Sequence, residues 1–464
     1  MLDKNVVATL KKIVGDEYVL TDKGELLTYS YDGTPDQPQV LPEVVVLPGS
    51  QEEIVEIVKL ARDNDLHIYT RGSGTNLSGG TIPLRKGIVL VTTRLNKILE
   101  VDPENLTATV EPGVIIAQLN DAVSPYGLIY PPDPGTVKTA TMGGSVSESS
   151  GGLRGLKYGV TKDYVIGVEM VLANGEVVTF GGKSVKNVAG YDLTKLVCGS
   201  EGTLGVITKI LVKLIAKPQY VKTMTATFDV LKDAGYAING IISSKVIPAP
   251  MELLDQTSLK VIDDFTHIGL PLDAKVMLLI EVDGMVEAEV ELEAQKVVEQ
   301  CKKNACREVK LAKDENERND LMAARRAALP ALARVKPTTV LEDATVPRSR
   351  IPDMLVKLEE IAEKYNLQIG TFGHAGDGNL HPTILTDARD TEEMERVHKA
   401  VDDIFAAALE MGGTLSGEHG IGIAKARYME DQFGAAGVEI IRRVKEAFDP
   451  NYMFNPDHFF FKGE

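Results

Sequence analysis

The spacing of apolar and polar positions divides the chain into two differently patterned halves. The first twelve residues, Met-Leu-Asp-Lys-Asn-Val-Val-Ala-Thr-Leu-Lys-Lys, are charged and amphipathic and predict a short helix, with loop to about residue 40. Val44 to Leu47 is a β-branched run closed by Pro48-Gly49, the pattern of a strand. Ser50 followed by Glu53 is a capping box that predicts an amphipathic helix to about Asn64. His67 to Thr70 is the next strand, and this strand–helix–strand opening indicates an α/β beginning. Beyond about Lys222 the pattern changes. Strands are expected at Lys222–Phe228, Met277–Val282, Glu308–Leu311 and Thr339–Val346. Helices are expected from about Val286, where Val290, Ala294, Val297, Val298 and Cys301 recur at helical spacing, then over Asp314–Leu332 and Pro352–Tyr365. The last helix is expected at about Thr391–Met411. This half reads as an α+β domain, built from two interlocked β-α-β units.

Three glycine-rich stretches interrupt the first half. The first, Arg71-Gly72-Ser73-Gly74-Thr75-Asn76-Leu77-Ser78-Gly79-Gly80, starts as G-x-G but has Leu77 where a dinucleotide fingerprint needs its third glycine. Pro83 also blocks the helix that should follow, so a nicotinamide Rossmann motif is disfavoured. Such a loop still presents successive backbone N–H groups that cradle a pyrophosphate. The second runs from Pro131 to Gly152 and reads as a long loop, a length that usually signals function. The third spans residues 199–208. Gly182-Lys183-Ser184 resembles the end of a P-loop, but Val177 stands where that motif needs its first glycine.

Composition narrows the class. At 464 residues the chain exceeds the size of one core, so at least two domains are expected. A net charge of −17 argues against nucleic acid and anionic membrane surfaces as partners. Three scattered cysteines make neither a disulfide framework nor an iron–sulfur motif. The charged first residues are unlike a signal peptide, and no apolar run spans a bilayer, so a cytoplasmic location is expected.

The strongest chemistry lies at Gly373-His374-Ala375-Gly376-Asp377-Gly378-Asn379-Leu380-His381. Asp-Gly favours a two-residue hairpin turn, which would set His374 directly opposite His381. Opposed residues have Cβ atoms roughly 4.5–5.5 Å apart on one face, close enough for two imidazoles to chelate one divalent metal.

Taken in order, R-G-S-G-T-N-L-S-G-G, P-P-D-P-G, T-A-T-M-G-G, K-N-V-A-G-Y-D-L-T-K-L and G-S-E-G-T-L-G-V-I-T resemble the FAD-linked D-2-hydroxy-acid dehydrogenases. These are the glycolate oxidase, D-lactate dehydrogenase and D-2-hydroxyglutarate dehydrogenase types, with the vanillyl-alcohol oxidase fold. The resemblance covers nearly the whole chain, to Asn455-Pro456. It implies a PCMH-type FAD-binding domain over 1–217, a ferredoxin-like α+β cap for the substrate over 218–412, and a C-terminal segment, 413–464, that returns to the flavin. It also implies non-covalent FAD, since no histidine stands in 71–80. Arg71, Gly72, Ser73, Gly74, Thr75, Asn76, Ser78 and Gly79 would hold its pyrophosphate. Pro132, Asp133, Thr139, Thr141, Gly143, Gly144, Glu201, Gly202, Gly205, Val206 and Ile207 would line its rings, with Asn455 near the flavin.

The same resemblance makes His374, His381 and Glu418 the ligands of a divalent metal, and two imidazoles with a carboxylate suit Zn, Fe or Mn. It makes Asn379 a neighbouring or substrate contact, His419 the base for the substrate hydroxyl, and Arg325 or its neighbour Arg326 the clamp on the carboxylate. Leu341 stands where the hydroxyglutarate enzymes carry a lysine, which favours a small acid such as D-lactate or glycolate. The electrons would leave to an electron-transferring flavoprotein or an iron–sulfur subunit. The rival expectation is a non-catalytic FAD-binding subunit of a larger complex. The intact His374, His381, Glu418 and His419 set favours catalysis.

Overall fold

The computed structural model describes residues 2–460. Their packing falls into two units. One takes the chain up to Gly151, then Val160–Lys217 and the chain from Glu418; the other takes Gly152–Gly159 and Pro218–Gly417.

In the first unit Val44–Val46, Ile88–Val91 and Ile68–Arg71 pair in parallel, with helix Gln51–Asp63 crossing between the outer two. The Ser50 hydroxyl accepts the Glu53 N–H at 3.2 Å, and the Glu53 carboxylate accepts from Gly49 N–H at 2.6 Å. That cap starts the helix where expected and leaves Ile54, Ile57, Val58 and Ala61 buried in the core beside Val44, Ile68 and Ile88. The loop expected to residue 40 contains a strand, Val19–Leu20, paired antiparallel with Val45 and Val46. Two residues carry too little periodicity to be read.

A second, antiparallel sheet runs Ile98–Asp102, Thr107–Val110, Val206–Lys213, Val165–Val171, Val177–Gly181. Against it lies the stretch 131–152, which is not the long loop its composition predicts. Met142–Glu148 is a helix, capped by Thr141, whose hydroxyl accepts the Gly144 N–H at 3.2 Å. Two glycines lower helix propensity and hide it. Gly143 is required by packing, because a Cβ there would come within 2.6 Å of Pro112.

Thr391–Glu410 is not the last helix. Met429–Phe448 follows, its apolar period interrupted by Gly434 at φ 66°. At its end the buried Lys445 ammonium donates to Asp449 at 2.5 Å and to the carbonyls of Thr203 and Phe454 at 2.6 and 2.7 Å. Asp449 in turn accepts the N–H groups of Met453 and Phe454, which seats Phe454 beside Ile68.

His458 is fully buried, and burial followed by the nearby Lys445 charge pushes its pKa down to about 3. A folded pKa below the unfolded value means stability that is present above about 6.5 and lost as pH falls toward 3. The loss amounts to ~5 kcal/mol at most. His458→Gln should therefore flatten the acid side of the unfolding midpoint against pH; an unchanged slope would contradict this.

The second unit carries one antiparallel sheet. Taking Tyr220–Phe228, Met251–Asp255, Val276–Gly284 and Glu308–Leu311 as strands one to four, the spatial order is 4-1-3-2, with Leu231–Ser243 and Glu287–Lys303 as crossover helices. This is a split β-α-β unit. Thr338–Leu341, Gln368–His374 and Asn379–Thr386 repeat the plan in mirror order, and Thr414 bridges to Thr345 in the fourth place. The two halves join edge to edge where Leu253 pairs with Gly373. Two expected elements are divided. The helix Asp314–Leu332 breaks after Arg326, and the strand Thr339–Val346 breaks at Glu342-Asp343.

Candidate active site

The histidine hairpin forms, but in a different register from the expected one. His374 pairs with Asn379, Gly373 with Leu380 and Phe372 with His381. The loop is therefore four residues, Ala375 to Gly378, not the two-residue Asp377-Gly378 turn. Its Asp377 N–H returns to the His374 carbonyl at 3.2 Å, and Gly378 takes φ 91°, where a Cβ would run into the Val346 carbonyl. Bonds from outside the hairpin override the local preference: Gly376 N–H donates to Met251, and Val346 N–H to Gly378. The histidines are thus diagonal rather than opposed. They still share a face, because Phe372 and His374 are two residues apart on one strand. Their ring centroids lie 5.2 Å apart with planes at 89°, and both side chains are buried.

The register on the other side of the hairpin brings in a residue that the sequence did not flag. Pairing of Leu253 with Gly373 sets Glu252 opposite His374. Glu252 is wholly buried, and its oxygens accept from His374 Nδ1 at 2.8 and 3.0 Å. The same carboxylate lies 2.5 Å from Arg325 Nη2. Burial alone would raise the Glu252 pKa, but the charges of Arg325 and His374 overcome this and hold it below the usual carboxylate range. An ionised Glu252 favours the His374 tautomer that carries its proton on Nδ1 and its lone pair on Nε2. Between the two arginines left open by the sequence, the buried one is Arg325. Its guanidinium stacks 4.8 Å over the Phe372 ring, and its Nε has no hydrogen-bond partner among the described residues. A buried donor without an acceptor is costly, and a carboxylate would satisfy it.

Asp343 organises the other end of this face. The Asn379 amide donates to Asp343 and, at 2.7 Å, to Thr345 Oγ1. Asp343 also accepts from Ser416 Oγ at 2.6 Å and from Gly417 N–H at 2.9 Å. Gly417 must be glycine, since a Cβ there would press on Thr345 Oγ1 and come within 2.7 Å of the Asn379 amide. The next two residues in the chain are Glu418 and His419. In the first unit, His419 Nε2 lies 3.9 Å from Glu418 Oε1.

The glycine loops form a second candidate surface, within the first unit. The 72–80 loop leaves the carboxyl end of strand Ile68–Arg71, where parallel sheets bind ligands. Arg71 is buried, donating to the Tyr31 carbonyl at 2.6 Å and to Thr81 Oγ1 at 3.1 Å, so it braces the loop from behind. Ser73 Oγ donates to the Thr139 carbonyl at 2.6 Å, and Asn76 accepts Gly80 N–H at 2.9 Å. Gly72 and Gly74 have no room for a Cβ beside Thr141 and Arg71. Asn455 donates to the Glu201 carbonyl at 2.6 Å, and a Cβ on Gly202 would lie 2.8 Å from that amide. Pro132 and Asp133 are buried, while Val206 and Ile207 point into the core, so a ligand can meet only their backbone. Four buried polar atoms on or beside these loops have no hydrogen-bond partner among the described residues: Thr70 Oγ1, Ser78 Oγ, Ser149 Oγ and Asn455 Oδ1. Close-packed glycines with unsatisfied polar atoms fit a polar, phosphate-bearing cofactor.

Residues 42–181 match the FAD binding domain family, and residues 217–458 match the C-terminal domain of FAD linked oxidases. The chain is 50% identical to a glycolate oxidase subunit GlcD of Bacillus subtilis, over all of this chain and 98% of that one. It is 34% identical to a D-lactate dehydrogenase of Archaeoglobus fulgidus, over 92% and 94%. Among solved structures, p-cresol methylhydroxylase superposes with a TM-score of 0.81 at 17% identity, covering 98% of this chain and 96% of that one. A 4-ethylphenol oxidase from Gulosibacter chungangensis gives 0.77 at 18%, covering 99% and 97%. The fold is thus the PCMH-type, vanillyl-alcohol oxidase fold. The chain belongs to the FAD-linked oxidoreductases of the GlcD and D-lactate dehydrogenase family. Among the described residues no helix is long and apolar enough to cross a membrane.

Proposed function

We propose that this protein oxidises a small D-2-hydroxy acid, D-lactate ahead of glycolate, to the 2-oxo acid, using non-covalent FAD and a divalent metal. The observation that carries this reading is the chain His374–Glu252–Arg325, in which one buried carboxylate orients a ligand histidine and a cation suited to the substrate carboxylate. His374, His381 and Glu418 would hold the metal, and the glycine loops with Asn455 would hold the flavin. When bound, the metal supplies a Lewis acid for the substrate hydroxyl and the flavin supplies the hydride acceptor.

The residues of the chain do the rest. Arg325 offers its Nε and the rest of its fork to the carboxylate and fixes the Cα–H direction. His419 accepts the hydroxyl proton, a task that suits an imidazole near neutral pH. Asn379, oriented by Asp343 and Thr345, lines the same face as the histidines. Leu341 lies on that face, its register partner being Thr383, and favours a short acid over a dicarboxylate. Electrons would then pass to an electron-transferring flavoprotein or an iron–sulfur subunit in the cytoplasm. The subunit names of relatives support a multi-subunit assembly, the setting in which a non-catalytic role would be found.

The test is anaerobic. The yellow protein should bleach with D-lactate, and a chelator should abolish bleaching while FAD stays bound. No bleaching with any small D-2-hydroxy acid would refute catalysis, and full-rate bleaching after metal removal would refute the metal's part.

A further inference from the structure

Glu201 belongs to the third glycine-rich stretch, and its carboxylate is taken up by the backbone of a distant segment. It is buried, and its two oxygens accept the backbone N–H groups of Ile421 and Gly422, each at 2.6 Å. These residues follow directly on Glu418-His419-Gly420. The Glu201 backbone is held as firmly. It adopts φ 51°, an unfavourable left-handed conformation for a residue with a side chain. That conformation is kept by its own N–H, which donates to Ser147 at 2.8 Å, and by its carbonyl, which accepts from Asn455 at 2.6 Å.

The turn it grips is tightly specified. Gly420 and Gly422 have φ 83° and 50°. A Cβ on Gly420 would collide with Glu148 and lie 2.9 Å from Glu201 Oε1, and one on Gly422 would collide with the Ser78 carbonyl. Ile423 and Ala424 N–H both donate to that carbonyl at 3.1 Å. On the near side, Gly417 N–H is held by Asp343. A buried carboxyl group therefore fixes the backbone one and two residues after Glu418-His419-Gly420.

We propose that Glu201 is a positioning residue that sets the His419 imidazole for proton removal by fixing the far end of this turn. The proposal rests on the reading of His419 as base. A misplacement of about 1 Å at a reacting group lowers a rate by ~10²-fold, and two short backbone N–H bonds to one buried carboxyl group are suited to prevent it.

Glu201→Gln keeps the shape but turns one acceptor into a donor facing an N–H. In the metal- and flavin-loaded protein it should slow flavin reduction by D-lactate ~10²-fold, with KM nearly unchanged and a larger solvent isotope effect on the reduction step. Independently of activity, amide hydrogen exchange in the peptide 418–424 should accelerate. Gly420→Ala, which leaves the Glu201 carboxylate intact, should show the same pattern. Wild-type reduction rates in Glu201→Gln would overturn the proposal. So would a loss that only follows lost flavin, with the isotope effect and exchange of the remaining protein unchanged. If His419→Ala itself reduces flavin normally, the base assignment fails instead, whatever Glu201→Gln does.

Discussion

His419→Ala should leave a yellow protein that retains FAD and metal but reduces its flavin with D-lactate about 10³-fold more slowly than the wild type. General acid–base residues contribute typically ~10²–10⁴-fold, and no other imidazole stands beside Glu418 in this segment of the chain. The loss should fall on the reduction step, read by stopped-flow bleaching, and not on substrate affinity, because the proposed carboxylate clamp, Arg325, is a different residue. Added imidazole should recover part of the rate. A variant that bleaches within a factor of a few of wild type would remove His419 from the reaction.

Glu252→Gln should be the most damaging change away from the reacting groups. The carboxylate is inaccessible and serves His374 and Arg325 together. Removing one partner of a buried ion pair costs about 3–5 kcal/mol, because the other charge stays behind unpaired. Loss of the carboxylate behind a ligand histidine weakens metal binding by ~10–100-fold. The amide carries no charge, and its NH2 group takes the place of one oxygen that faces these donors, so three readings should move together. The unfolding midpoint should fall, the metal should titrate onto the apoprotein more weakly, and the KM for D-lactate should rise as Arg325 loses its orientation. Metal affinity and KM both at wild-type values would show that Glu252 is a stability feature only.

The glycine loops and the histidine pair were legible from short-range pattern, and the resemblance carried by those motifs supplied the other expected site residues. Glycine at 72, 74, 143 and 417 answers demands for close approach, which show in the sequence as glycine-rich stretches although most of the approaching groups are distant in the chain. Asp-Gly in the histidine hairpin announced a turn, and the period of two kept His374 and His381 on one face even though the register differed from the expected one. The arginine pair came from the resemblance, and of the two only Arg325 is buried.

The contacts of Glu252, Asp343 and Glu201 were legible only in part or not at all. Glu252 sits in Met-Glu-Leu-Leu-Asp, an ordinary strand pattern, and stands 122 residues from its histidine. Asp343 interrupts a strand, which the sequence presents as continuous, and is 74 residues from Gly417. Glu201 was read as a cofactor contact, and nothing in the sequence pointed to the bond between its carboxyl group and a turn 220 residues on.

The amino-acid sequence by itself determined the family and the glycine loops, and it nominated the groups proposed to bind metal and move a proton. These depend on residue type and near-neighbour spacing. The tertiary structure alone decided the hairpin register and the carboxylates that orient those groups. Cross-strand partners and backbone acceptors are chosen by which segments the fold brings alongside, and a buried charge acquires its role only from the partners that burial leaves it.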